Sequence, residues 1–207
     1  MAITSYSELL TALENWIARS DLDDRYPECI ALAEGVANRH LDCQQMSTRN
    51  ASFSINAVSV AVPTRFAGVR AFKLNTATPS PLFYVKPDDF DDPREAAYPA
   101  TGQPGYYTIL GDAFLFSPTP DSTYTATLVY RTNLTPLSTS NASNWLLAGF
   151  PDVYLHGALA FAYQFIEDDA MEAKMRGLFL SGLGEINALN NRIAFGSSPA
   201  RRVRGFA

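Results

Sequence analysis

The chain has 207 residues, of which 47% are hydrophobic and 18% are charged, and its formal net charge is −5. This length and composition suit a packed globular protein and exclude a disordered chain. The surplus of acid excludes a protein that grips nucleic acid over its whole surface, and no apolar run is long enough to cross a bilayer.

The first helix is predicted from a capping pattern and an apolar stripe. Ser5 and Glu8 have the S-x-x-E spacing in which each side chain satisfies a free backbone amide at a helix start. Apolar residues then recur with helical spacing and form one stripe: Tyr6, Leu9, Leu10, Leu13, Trp16 and Ile17. We expect this stripe to be buried.

A second helix follows and is predicted to end near Met46. Pro27 suits its first turn, where a missing N–H leaves no helical hydrogen bond unmade. Cys29 and Cys43 would then lie on one helix, about 21 Å apart at helical rise, which is too far for a disulfide. We expect two small buried thiols.

Residues 51–135 change to alternating patterns and predict short strands. Tyr106–Leu110 and Ala113–Phe116 flank Gly111-Asp112, a pair that can supply the two turn residues of a tight hairpin. Residues 86–104 are acidic and contain prolines, so they predict a loop between strands.

Two further helices are predicted after a small, polar linker at 134–143. Pro151 is well placed as the first residue of the third helix, whose apolar stripe ends at Phe165. Asp169 and Glu172 can cap the fourth helix. The expected interior positions of the fourth helix are Met175, Leu178, Phe179, Gly182, Ile186, Leu189 and Ile193.

The order of these elements predicts an α+β fold. We expect a four-helix bundle of two N-terminal and two C-terminal helices, with an inserted antiparallel β-sheet region and a flexible C-terminal arm. Either helical pair alone would leave an apolar stripe exposed, so the two pairs should pack together. The expected boundaries are 1–50 with 141–195 for the bundle, 51–140 for the β insertion and 196–207 for the arm.

Residues that carry chemistry are few. His40 and His156 each stand alone in a helical segment, without a His, Cys or acid partner at metal-binding spacing. One acidic cluster stands out: Asp88, Asp89, Asp91 and Asp92. It lacks the residue order of a calcium loop and is adequately explained as a solvated turn. We therefore expect no catalytic residues, no metal and no cofactor.

The basic tail is the most informative charged feature. Residues 196–207 carry Arg201, Arg202 and Arg204 and no acid. One interpretation is an unstructured terminus that aids solubility. The other is an arm that docks on a neighbouring protein, with the arginines paired with carboxylates and Phe206 in a pocket. Three arginines alone would bind nucleic acid only weakly.

Three stretches carry a family resemblance: Tyr6–Ile17 with the helix of Ala33-Glu34 and Asn38-Arg39, then Gly105–Asp112 with Phe116–Tyr130, and finally Asn144–Leu159. By their order and spacing, from about residue 5 to 195, the chain resembles the head–tail adaptor proteins of tailed bacteriophages.

The resemblance implies a structural virion protein at the head–tail interface, present in the host cytoplasm during assembly. It implies a homo-oligomeric ring, twelve-fold to match a portal, with genomic DNA passing through its lumen. The expected partners are further copies of the chain, the portal protein and a downstream neck or tail protein, with no membrane. The arm residues expected to contact the portal are Arg201, Arg202, Arg204 and Phe206.

Two other functions stay open. A virion-associated glycan hydrolase would need two carboxylates held about 5 to 9 Å apart in a cleft, and Asp88 and Asp92 are the candidates. A tail terminator or another tail component would be dominated by β structure, which the predicted helices disfavour.

Overall fold

A computed structural model of the chain describes residues 3–90 and 101–195. The chain divides into two units. Met46–Asn133 forms the β-rich unit, and the residues up to Gln45 and from Leu134 onward form the helical unit. The predicted arm, residues 196–207, lies outside the described residues.

The described residues contain six α-helices. They are α1 (Tyr6–Ile17), α2 (Tyr26–His40), α3 (Pro87–Phe90), α4 (Trp145–Gly149), α5 (Pro151–Phe165) and α6 (Asp169–Phe195). Short 3-10 helices lie at Ser20–Leu22 and Gln44–Met46.

Helix α5 is the centre of the helical unit. It contacts α1, α2, α4 and α6, and it is therefore apolar on nearly every side. Its buried residues are Val153, Tyr154, Leu155, Gly157, Ala158, Leu159, Ala160, Ala162 and Tyr163. Pro151 is its first residue, as predicted.

The capping box predicted for α1 is confirmed. Glu8 N donates to Ser5 Oγ at 3.3 Å, and Ser5 N donates to Glu8 Oε2 at 3.0 Å. The stripe behind it is buried at its start but not at its end, because Trp16 is 52% exposed.

Helix α2 is shorter than predicted, because it ends at His40. Cys43 therefore lies beyond the helix, and the expected separation of the two cysteines along one helix is wrong. Both thiols are nevertheless buried, as expected. Burial, with a smaller contribution from Glu28, raises the pKa of the Cys29 thiol to about 11.

Helix α6 is capped by Asp168 rather than by Asp169, because Met171 N donates to Asp168 Oδ1 at 3.1 Å. Its buried stripe contains Met175, Phe179, Leu183 and Ile186. Leu178 and Leu189, both expected inside, are each 44% exposed. Two apolar positions predicted to be core are thus on the surface of the helical unit.

The β-rich unit contains ten described strands. They are β1 (Ser47–Ile55), β2 (Ser59–Ala61), β3 (Phe66–Leu74), β4 (Ser80–Pro81), β5 (Phe83–Tyr84), β6 (Thr101–Gly102), β7 (Tyr106–Leu110), β8 (Ala113–Ser117), β9 (Thr119–Pro120) and β10 (Tyr124–Thr132).

These strands form three sheets. One has the order β1-β10-β3-β4 and is antiparallel, and the second has the order β2-β8-β7-β5. Within the second sheet, β5 pairs with β7 in parallel, and β6 pairs with β9 in parallel in a third, two-stranded sheet. The predicted β7–β8 hairpin is confirmed, with a φ of +59° at Gly111 that suits glycine in the turn.

An aromatic core joins the two larger sheets within this unit. Phe114 from β8 makes edge-on contacts with Phe53 and Phe66, with ring centroids 5.7 and 5.4 Å apart. Phe72 from β3 makes a similar contact with Tyr107 from β7, at 5.3 Å. Such pairs stabilise a core beyond the burial of their area.

The predicted four-helix bundle with one antiparallel insertion is wrong. The described residues form an α+β fold with six helices and several sheets, some of them with parallel strand pairs. Two local features explain why this fold prediction was wrong. Helix α4 is only five residues long and is separated from α5 by the non-helical Phe150. Strands of two residues are too short to show an alternating pattern.

Candidate interaction surfaces

The arm residues singled out from the sequence, Arg201, Arg202, Arg204 and Phe206, lie outside the described residues. So do Asp91 and Asp92 of the acidic cluster. Asp88 and Asp89 are exposed on α3, and the structure therefore brings no pair of carboxylates from this cluster into a described cleft.

The two histidines are not brought together with other metal-binding side chains. His40 is the last residue of α2 and its Nδ1 lies 3.0 Å from Val36 O, whereas His156 is half-buried on α5. Within residues 3–90 and 101–195, no three His, Cys, Asp or Glu side chains are grouped so that they could hold a metal.

A buried carboxylate in the helical unit was missed from the sequence. Glu34 on α2 is only 6% exposed, and its Oε1 accepts from Tyr154 Oη at 2.7 Å and from Leu137 N at 2.8 Å. Asn144 Nδ2 donates to the same tyrosine oxygen at 2.6 Å and to Thr135 O at 2.9 Å. This network joins α2, α5 and the connecting segment before α4.

Burial dominates the electrostatics of this network. It raises the pKa of Glu34, while the hydrogen bonds from Leu137 and Tyr154 oppose part of that rise. Burial, followed by the nearby Glu34, also raises the pKa of Tyr154, which stays a donor. The sequence did indicate that Glu34 is buried, because Glu34 lies one turn after Ile30 and next to Ala33, within the buried stripe of α2.

Two asparagines on α6 hold the chain that leaves α2. Asn187 accepts from Asp42 N at 2.9 Å and donates to His40 O at 2.8 Å. One turn later, Asn190 accepts from Gln44 N at 2.9 Å and donates to Asp42 O at 3.4 Å. The two amides therefore tie α6 to the last carbonyl of α2 and to the backbone of the segment that follows it.

One stripe along the solvent side of α6 has no charged side chain over four turns, although the exposed Lys174 and Glu185 lie beside it. We call it the α6 outer face, and its residues, all exposed, are Ala173, Gly177, Leu180, Ser181, Gly184 and Ala188. A Cβ added at Gly177 or Gly184 would meet nothing within 4 Å. A neighbouring backbone could therefore approach this face closely.

A groove lies between the start of α5 and the last turns of α6. We call it the α5–α6 groove, and its volume is about 410 Å³. Its apolar lining residues are Phe150, Val153, Ile186, Ala188 and Leu189, with Gly182. Its charged lining residues are Asp152, Glu185 and Arg192. Sequence reasoning missed this groove, because it assigned Leu189 to the core.

A second, more open groove lies between α2 and α5. Phe165 and Leu32 are 57% and 48% exposed there, and the Arg25 guanidinium lies 5.6 Å from the Phe165 ring centroid. Phe165 was expected to be buried, and the structure corrects this. Both grooves leave large apolar side chains open to a partner.

None of the helices in the described part of the chain is long and apolar enough to span a membrane.

Comparison with known proteins gives a family match. A family profile described as SU10 adaptor protein matches residues 4–203 of the chain. No curated protein is similar to the chain at a significant level.

Proposed function

The chain belongs to the SU10 adaptor protein family, and from this premise we propose that it forms a ring between the portal and the tail of a bacteriophage. Membership implies a structural component of the phage virion that contacts other head or tail proteins. The family resemblance seen in the sequence is thereby confirmed.

The match over residues 4–203 is the observation that carries the proposal. In the proposed assembly, copies of the chain close a twelve-fold ring below the portal, and a downstream neck or tail protein binds on the other side. Genomic DNA passes through the lumen. The net charge of −5 supports this, because like charge disfavours adhesion of DNA to the wall.

The α6 outer face supports the proposed contact between subunits. It presents small and apolar side chains without charge, and both Leu180 and Ser181 are exposed. Closure of a ring repeats one interface many times, so a modest contact becomes sufficient.

The arm supports the proposed contact with the portal. Arg201, Arg202 and Arg204 can form paired hydrogen bonds with carboxylates, and Phe206 can fill an apolar pocket.

The proposal is tested by the mass of the purified chain alone and mixed with its cognate portal, measured by native mass spectrometry. We expect the portal to gain twelve chains. A chain that does not bind the portal would overturn the proposal.

The subunit contact has its own variant. Ser181→Arg places a charge at the centre of the α6 outer face, and Ser181→Ala is the matched control that keeps a small neutral side chain there. We expect Ser181→Arg to stop ring closure and Ser181→Ala to leave it intact, with unchanged urea unfolding of both free chains. Equal assembly of the two variants would show that another face forms the interface.

The double variant Asp88→Asn with Asp92→Asn distinguishes the adaptor from the alternative function, a glycan hydrolase. If the carboxylates act in cell-wall degradation, the double variant loses infectivity. If the chain is an adaptor alone, infectivity is retained.

A further inference from the structure

The α5–α6 groove has the features of a site for a short peptide that carries both an aromatic and a basic group. Val153 and Ile186 form a buried apolar floor, at 2% and 3% exposure, and Leu189 stands at the edge with 44% of its surface exposed. Asp152 and Glu185 add two carboxylates to the lining.

We propose that the C-terminal residues 200–207 of the same chain occupy this groove, with Phe206 against Leu189 and Ile186. The arginines at 201, 202 and 204 would then lie beside Asp152 and Glu185. The groove therefore holds the arm of the free chain.

The reach of the chain supports this occupant. Helix α6 ends at Phe195, three positions after Arg192, which lines the groove. At the helical rise, Ile186 and Leu189 lie about 9–14 Å back from that end. Twelve further residues can span about 40 Å when extended, which is enough to turn back at Gly196-Ser197-Ser198-Pro199, a sequence of turn-forming residues.

Charge supports it as well. The arm has three arginines and no acid, and it meets two carboxylates and one arginine in the groove. Exposed ion pairs contribute little to affinity, so we assign the arginines the role of orienting the arm and Phe206 the role of anchor. Arg192 has the same sign as the arm and opposes part of this attraction.

The covalent link between arm and groove favours the arm of the same chain over the arm of another copy. A short linker gives the arm an effective concentration in the millimolar range at its own groove. Free protein at micromolar concentration supplies the arm of a second copy far less often.

The functional meaning of this docking rests on the proposed function, because the same arm is the proposed contact with the portal. An arm held in its own groove is unavailable for other contacts. The portal must displace it, so that adaptors join the portal and do not associate through their arms in solution.

The test is a disulfide formed in the full chain. In Leu189→Cys combined with Phe206→Cys, the new thiols are close only if the arm is docked. The matched control is Leu180→Cys combined with Phe206→Cys. Leu180 is similarly exposed, at 40%, but it lies nine positions away, and its side chain projects from the opposite flank of α6. The native Cys29 and Cys43 are buried in both variants.

With oxidised glutathione and no portal, we expect the groove pair to form an intramolecular disulfide at least tenfold faster than the control pair. Equal rates in the two variants would show an arm that does not dock, and disulfide-linked dimers would show docking on a second copy. Either result overturns the proposal.

A second variant tests the role of charge. Asp152→Asn combined with Glu185→Gln, added to the groove pair, should slow the disulfide several-fold at low salt and have less effect at high salt. No change would remove the electrostatic part of the proposal. Since no portal is used, failure here leaves the adaptor function intact, and failure of portal binding leaves the docking result intact.

Discussion

The hydroxyl of Tyr154 donates to Oε1 of Glu34 across 2.7 Å, joining the central helix α5 to α2. The same carboxylate oxygen accepts from Leu137 N, and Asn144 donates to the tyrosine oxygen. Glu34, Leu137 and Tyr154 are buried and Asn144 is half-buried, so the loss of one partner leaves a group with little access to water unsatisfied.

We expect Tyr154→Phe to lower the free energy of unfolding by about 1–3 kcal/mol, because Glu34 and Asn144 each lose a partner in a buried site. Tyr163→Phe is the matched control. Tyr163 is also buried on α5, but its hydroxyl makes no hydrogen bond to the described residues. Urea unfolding followed by helical circular dichroism measures both variants. Equal losses would show that the network adds nothing beyond packing.

The pH dependence of stability should reveal the buried carboxylate itself. Because burial raises the pKa of Glu34 above its ordinary value of 4.5, the folded chain holds this proton to higher pH than the unfolded chain does. The contribution of Glu34 to stability is therefore fully present below about pH 4.5, and it is lost as the pH rises through the raised pKa.

Glu34→Gln keeps an oxygen acceptor for Leu137 and Tyr154 but does not ionise. We expect the variant to gain in stability relative to the native chain as the pH is raised from 4 to 7, measured by the urea midpoint. Glu28→Gln, at an exposed position on the same helix, is the control and should show no such trend. A constant difference across this pH range would contradict the raised pKa.

Local sequence patterns predicted the local features of this fold. The Ser5–Glu8 capping box, the start of α5 at Pro151 and the Gly111-Asp112 hairpin turn depend on neighbouring residues, and all three are confirmed. Features that depend on distant partners were not predicted. The parallel pairing of β5 with β7 joins residues more than twenty positions apart, and no local periodicity encodes it.

The same distinction applies to the candidate surfaces. Helical spacing placed Leu178, Leu189 and Phe165 in the core, because an apolar residue near a stripe is usually buried. Their exposure depends on how far each neighbouring helix extends, which the spacing cannot show. The Glu34 network could not be predicted for the same reason, because its partners Leu137 and Tyr154 lie more than a hundred residues away in the chain.

The paired asparagines of α6 should contribute measurably to the helical unit. Asn187→Ala removes two hydrogen bonds to the chain after α2, and we expect a loss of about 1–2 kcal/mol in the free energy of unfolding. Asn190→Ala should cost less, because one of its two bonds is 3.4 Å long. Asn191→Ala is the control. Asn191 is exposed on the same helix, so this variant measures the gain in helix propensity that any change from asparagine to alanine brings. Similar unfolding midpoints for the three variants would show that Asn187 and Asn190 do not stabilise the segment after α2.

Two glycines on α6 should respond to alanine with opposite signs. At Gly182 an added Cβ would lie 2.7 Å from Val153 Cγ2, and this valine is stiff and buried, so we expect Gly182→Ala to destabilise the chain by about 1–3 kcal/mol. At Gly184 an added Cβ would meet nothing within 4 Å, so Gly184→Ala should stabilise the free chain by about 0.5–1 kcal/mol through helix propensity. Thermal unfolding of the two variants beside the native chain measures the difference. If both variants were stabilised, the close packing of α6 against α5 at Gly182 would be refuted. If Gly184→Ala also weakened ring assembly on the portal while stabilising the free chain, the reason for a glycine at this exposed position would be the approach of a neighbouring subunit.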